Sequence, residues 1–159
     1  MYKRAAVTLA LTATIAVGAC GGGSSHLSKK DFVKKADAIC AAGQKKTNAL
    51  KAPDFDPSAD NLTAAQLTQV ADYLDKGVAI QSSSNADLKK LNPPAADEST
   101  IKSMLSLVDK ADGQLSDAAS AARKNDGAKY RSGIQTATET FDSASAKAKA
   151  YGLTTCGQS

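Results

Sequence analysis

Apolar residues return at every third or fourth position through four successive stretches between Ser28 and Tyr151, and that period is the helical one. The first stretch opens at Ser28, an N-cap with Asp31 three residues on, and runs to about Lys51. Phe32, Ala36, Ile39, Cys40, Gly43, Thr47 and Leu50 share one face of it. Lys30, Lys34, Lys35, Lys45 and Lys46 share the opposite face, which makes an amphipathic helix with a solvated side. A loop holding Pro53 and Pro57 follows, and Phe55 is expected to fold back from it onto the bundle.

The second stretch runs from about Ala64 to Lys90, with Thr63 as N-cap and Gln66 completing a capping box. Its seam is Leu67, Val70, Leu74, Gly77 or Val78, Gln81, Ser84, Leu88 and Leu91. Gln81 and Ser84 are polar intrusions, and the weak helix formers Ser82-Ser83-Ser84-Asn85 predict a kink or fray there. Pro93-Pro94 stops the helix. The third stretch covers roughly Ala96 to Lys124, with Ile101, Met104, Leu105, Val108, Ala111, Leu115, Ala118 and Ala122 on its seam. Asn125-Asp126-Gly127 reverses the chain. The fourth runs from about Ala128 to Tyr151 through Tyr130, Ile134, Ala137, Phe141, Ala144 and Ala148, and Gly152 is a good C-cap. Short links between successive helices make neighbours antiparallel, so the expected fold is an all-α, up-down-up-down four-helix bundle.

Alanine recurs in the seams of the third and fourth stretches, aromatic residues are 4% of the chain and tryptophan is missing, so each helix buries little area. Such a core is expected to need a covalent staple. Of the three cysteines, Cys40 and Cys156 are far apart in sequence, and no spacing suggests a zinc site. A disulfide between them fits the topology. Cys40 lies roughly 18 Å up the first helix, and residues 152–156, if extended, reach about 16–18 Å. The tail leaving the fourth helix can therefore climb the first to meet it.

The third cysteine carries the address. Lys3-Arg4, an apolar run from Ala5 to Val17, and Val17-Gly18-Ala19-Cys20 read as a secretory signal ending in a lipobox. Cys20 is then the lipidated N-terminus, and Gly21-Gly22-Gly23-Ser24-Ser25 begins a flexible tether. The division expected is signal peptide 1–19, lipidated cysteine and tether 20–27, helical domain 28–159. The place expected is the extracytoplasmic face of a cell membrane, an oxidising setting that favours the Cys40–Cys156 bridge. The run from Ala5 to Ala19 is short of the roughly 20 residues that span a bilayer. The formal charge of +4 includes Lys3 and Arg4, so the mature chain is closer to neutral and nucleic acid is not an expected partner.

Asp31-Phe32 with Ala36-Asp37-Ala38-Ile39-Cys40, and Tyr151-Gly152-Leu153 with Cys156, resemble a group of small actinobacterial secreted lipoproteins of unassigned function. The resemblance covers the lipobox, the first helix and the tail. It implies an exported helical domain bridged from Cys40 to Cys156, and it implies no catalytic or ligand residues.

Chemistry is sparse along the chain. His26 is the only histidine and sits in the tether, so neither a hydrolytic triad nor a Glu-x-x-His di-metal site can be assembled. The carboxylate pairs Asp97-Glu98 and Asp109 with Asp112 read as helix-start or exposed groups. No enzyme, cofactor or metal is expected. Leu62-Thr63-Ala64-Ala65-Gln66 is similar to the Leu-Thr-x-x-Gln motif of the periplasmic spheroplast-protein chaperones, although it occurs once and a capping box accounts for it locally. Lys30, Lys34 and Lys35 lie close to the tether, where they can meet anionic lipid or acidic wall polymer. Gln81 and Ser84 are the one hint of an internal ligand site. The leading expectation is a monomeric, non-enzymatic, membrane-anchored lipoprotein acting by contact with an envelope protein or wall polymer. The alternative is a small-ligand or lipid carrier that uses the bundle interior.

Overall fold

The computed structural model describes residues 26–158. The lipobox, Cys20 and the tether up to residue 25 lie outside the described residues. Four helices follow in order: α1 Lys29–Asn48, α2 Ala64–Lys89, α3 Glu98–Arg123 and α4 Gly127–Tyr151, with a short 3-10 turn at Ala95–Asp97 leading into α3. The all-α bundle expected from the periodicity is what forms. One end, the base, gathers the start of α1, the α2–α3 link and the end of α4.

Local chemistry sets most helix ends. The Ser28 hydroxyl accepts the Asp31 N–H at 3.1 Å, and Thr63 and Gln66 close the capping box in both directions. Asp126 caps α4 through the Lys129 N–H. Asn125 turns the chain at φ 58° and Gly152 ends α4 at φ 106°, the left-handed region in which a missing Cβ or a short polar side chain is tolerated. The kink expected at Ser82–Asn85 does not occur, and α2 runs unbroken to Lys89. Tertiary bonds offset the weak propensity there: Asn85 is 1% exposed and its amide donates to the Leu105 carbonyl and to Asp109.

Burial falls into two clusters. At the base Phe32, Ala36, Leu88, Ile101, Met104, Leu105, Ala148, Tyr151 and Leu153 pack together, with the Phe32 and Tyr151 rings edge to face at 5.9 Å. Towards the other end Leu67, Val70, Ala71, Tyr130 and the alanines of α3 form a second cluster, onto which Phe55 folds as expected. The two tyrosine hydroxyls reach the rim, Tyr151 donating to Asp97 and Tyr130 to the Pro57 carbonyl.

Between the clusters α2 and α3 face each other through polar groups. Asp112, expected on an exposed face, is 5% exposed and accepts the Ser82 hydroxyl at 2.9 Å. One carboxylate oxygen of Asp112 and the side-chain oxygen of Asn85 are buried with no protein partner among the described residues. Burial pushes the Asp112 carboxyl up to about 6; the Ser82 hydroxyl pulls the other way and Asp109 adds a smaller upward push.

α3 and α4 come together at small residues. A Cβ built on Gly133 of α4 would stand 2.9 Å from the Ala118 Cβ of α3, which leaves no room for a side chain. Gly133→Val is expected to lower stability by about 1–3 kcal/mol in urea unfolding. Asp112 predicts a pH effect. Between 3.8 and about 6 the folded chain holds a proton that the unfolded chain has released, so this group's contribution to stability falls as pH rises through that window. Melting curves should show Asp112→Asn gaining on the wild type across the same interval and not outside it.

Candidate functional site

The alanine seams draw α3 against α4, and α2 lies against α3 and α1, but the backbones of α1 and α4 stay apart and the two helices meet at the base through Phe32, Lys29 and Tyr151. Gly43 seats α1 on α2: a Cβ there would lie 2.6 Å from the Ser84 hydroxyl. The gap between α1 and α4 is filled at the base by the C-terminal tail. Gly152 turns the chain, Leu153 becomes 1% exposed, and Cys156 joins Cys40 with the two Cα atoms 5.2 Å apart.

Asp37 holds this tail as firmly as a side chain can. Its carboxylate accepts the Thr154 N–H at 3.0 Å, the Thr154 hydroxyl at 2.8 Å, the Thr155 N–H at 2.9 Å and the Cys156 N–H at 3.1 Å. Burial pushes its pKa up, but the Thr154 hydroxyl and the three backbone N–H groups outweigh that and hold it below 3.8. Gln44 donates to the Thr155 carbonyl at 3.1 Å.

Above the tail the gap is open, a cavity of about 690 Å³ between α1, α4 and the inner faces of α2 and α3. Its wall has a direction. Near the base it is Phe32, Ala36, Leu88, Met104, Leu105, Ala148 and Leu153, with Val108, Phe141 and Ala144 higher up. Farther from the base it is Gln44, Thr47, Asn48, Gln81, Thr138 and Asp142, of which Asn48, Thr138 and Asp142 are exposed and mark the mouth, while Ser145 and, on the tail, Thr155 and exposed Gln158 add polar groups lower down. Apolar floor and polar mouth are thus about 15 Å apart along the helices.

The residues singled out from the sequence fall into separate places. Gln81 and Ser84 both line the cavity, and the Ser84 hydroxyl donates to the Ile80 carbonyl. Cys40 and Cys156, now bonded, also line it. Lys30, Lys34 and Lys35 are exposed and none of them lines it. Lys29 places its ammonium 4.4 Å from the centre of the Tyr151 ring. Cys20 lies outside the described residues.

The last residues of the expected tether are docked: Leu27 N–H donates to the Asn92 carbonyl, and His26 Nδ1 lies 2.7 Å from the Pro93 carbonyl and 3.5 Å from Glu98. Thr63 and Gln66 are occupied with each other in the capping box. Among the described residues no group of His, Cys, Asp and Glu is placed to hold a metal, and no helix is long and apolar enough to cross a membrane.

Sequence reasoning missed Asp37 as the clamp on the tail and the tail as part of the wall, and assigned Met104, Leu105 and Phe141 simply to the core. No local signal marks them as cavity residues, because the cavity depends on how far α1 stands from α4. No family model, curated protein or solved structure matches this chain.

Two substitutions probe the tail. Replacing both Cys40 and Cys156 by serine is expected to remove about 2–5 kcal/mol in denaturant unfolding. Asp37→Asn leaves the bridge intact and should speed hydrogen exchange at the amides of residues 154–156. Because the Asp37 pKa is lowered on folding, its contribution is present above 3.8 and lost as the pH falls below it.

Proposed function

We propose that this chain is an exported binding protein, anchored through a lipidated Cys20, that holds a small apolar ligand between α1 and α4 without transforming it. The observation that carries the reading is the cavity of about 690 Å³, walled by Phe32, Met104, Leu105, Phe141 and their neighbours and opening past polar groups. Small-molecule sites commonly occupy about 300–1,000 Å³, are lined mostly by apolar side chains and carry few oriented polar ones. Ten buried methylenes would contribute about 8 kcal/mol before the costs of association.

This moves the emphasis from contact with an envelope partner to the carrier alternative. A carrier needs an internal void beside Gln81 and Ser84, and both residues line this one. The anchoring half of the proposal rests on Val17-Gly18-Ala19-Cys20 and on the likeness to small secreted lipoproteins. A tether entering at His26 and Leu27 fits that arrangement, because it would hold the base, with exposed Lys30, Lys34 and Lys35, towards the membrane and the mouth away from it.

Native mass spectrometry of the chain from Ser24 onward, exported behind a cleavable signal and purified under oxidising conditions without detergent, tests the proposal. A non-covalent adduct released on denaturation is expected, and Val108→Trp, which narrows the cavity, should weaken it while the circular dichroism stays helical. A bare chain with no adduct, also after incubation with apolar extracts, sinks the reading.

A further inference from the structure

The cavity wall also says which charge its ligand cannot carry. Among the residues that line it there is no lysine, arginine or histidine, and the single charged group is the Asp142 carboxylate at the mouth. Asp142 forms no ion pair among the described residues. The last turn of α1 adds to this. Thr47 and Asn48 line the mouth, so the negative end of the α1 dipole faces the same opening. Lys45 and Lys46 belong to that turn but are exposed and do not line the cavity.

We infer that the cavity takes an uncharged or cationic single-chain amphiphile, inserted tail-first towards the base with its head at Asp142, Gln81 and Asn48, and discriminates against anionic ones. The inference rests on the binding reading above and names the ligand class within it. The order of the wall sets the direction of insertion. An apolar chain satisfies Phe32, Leu88, Met104 and Leu153 at the closed end, where Ser145 and Thr155 are the few polar side chains and none is charged. A hydroxyl, amide or ammonium at the mouth finds acceptors and amides. A carboxylate or phosphate there meets Asp142 and the helix carbonyls with no cation lining the cavity to oppose them. Water reaches the exposed Asp142, so the repulsion is moderated, and discrimination of about tenfold is the expected scale.

Photoactivatable diazirine derivatives of dodecanol, dodecylammonium and dodecanoate test this on the full mature chain in lipid nanodiscs at alkaline pH. Peptide mapping separates labels on the cavity wall from labels on the base or the tether. The alcohol and the ammonium are expected to label peptides carrying Met104 and Phe141, and the carboxylate about tenfold less. Asp142→Lys, a change at an exposed position, should raise labelling by the carboxylate and lower it by the ammonium. Equal labelling by dodecanoate and dodecanol in the wild type overturns the ligand class and leaves the binding reading standing. No cavity labelling by any of the three overturns both.

Discussion

Everything distinctive in this bundle depends on how α1 is held. It has little close backbone contact with α4, and it meets α2 through the Gly43–Ser84 approach and the base cluster. What fastens it across the open side is the tail: the Cys40–Cys156 bond and, beside it, Asp37 collecting three consecutive backbone N–H groups and the Thr154 hydroxyl. The bond removes loop entropy from the unfolded chain over a separation of 116 residues, where the chain-entropy model gives about 4–5 kcal/mol. The carboxylate satisfies N–H groups that an irregular tail would otherwise leave unpaired. Together they set the width of the gap by covalent and polar means, and the space above them does not have to close.

That arrangement follows from the small size of the seam residues. Where alanine and glycine line both helices, as at Ala118 and Gly133, the backbones come together and the interface is tight. Alanines cannot fill space between helices that are kept apart. Across the α1–α4 gap only the few larger side chains, Phe32, Met104, Leu105, Phe141 and Leu153, extend towards the interior, and they coat the space without occupying it. A cavity is the natural result when a bundle of small residues is pinned at one side by a crosslink.

The polar layer in α2 and α3 shows a related compromise. Asn85 and Asp112 interrupt the core between its two clusters and leave buried oxygens without protein partners. Replacing them by apolar residues would pack better. Their presence keeps the upper and lower clusters distinct, and Gln81 and Ser84 carry the same polar level of α2 into the cavity wall.

The sequence by itself determined the helices, their order and much of their capping, because each rests on interactions within a few residues. The three-to-four-residue period, the Thr63–Gln66 box, the Ser28 cap and Gly152 were all readable locally. The bridge was readable too, since a helix rise and an extended tail are simple lengths. Tertiary structure alone decided that α2 ran unbroken and what stayed buried: Asn85 overrode a weak propensity by bonding across to α3, and Asp112 turned inward against Ser82. It alone decided that Gln81 and Ser84 face an open space, because their polarity was visible along the chain while the distance from α1 to α4 was not. That distance is a balance between close alanine packing on one side and a crosslinked tail on the other, and no short stretch of sequence contains both.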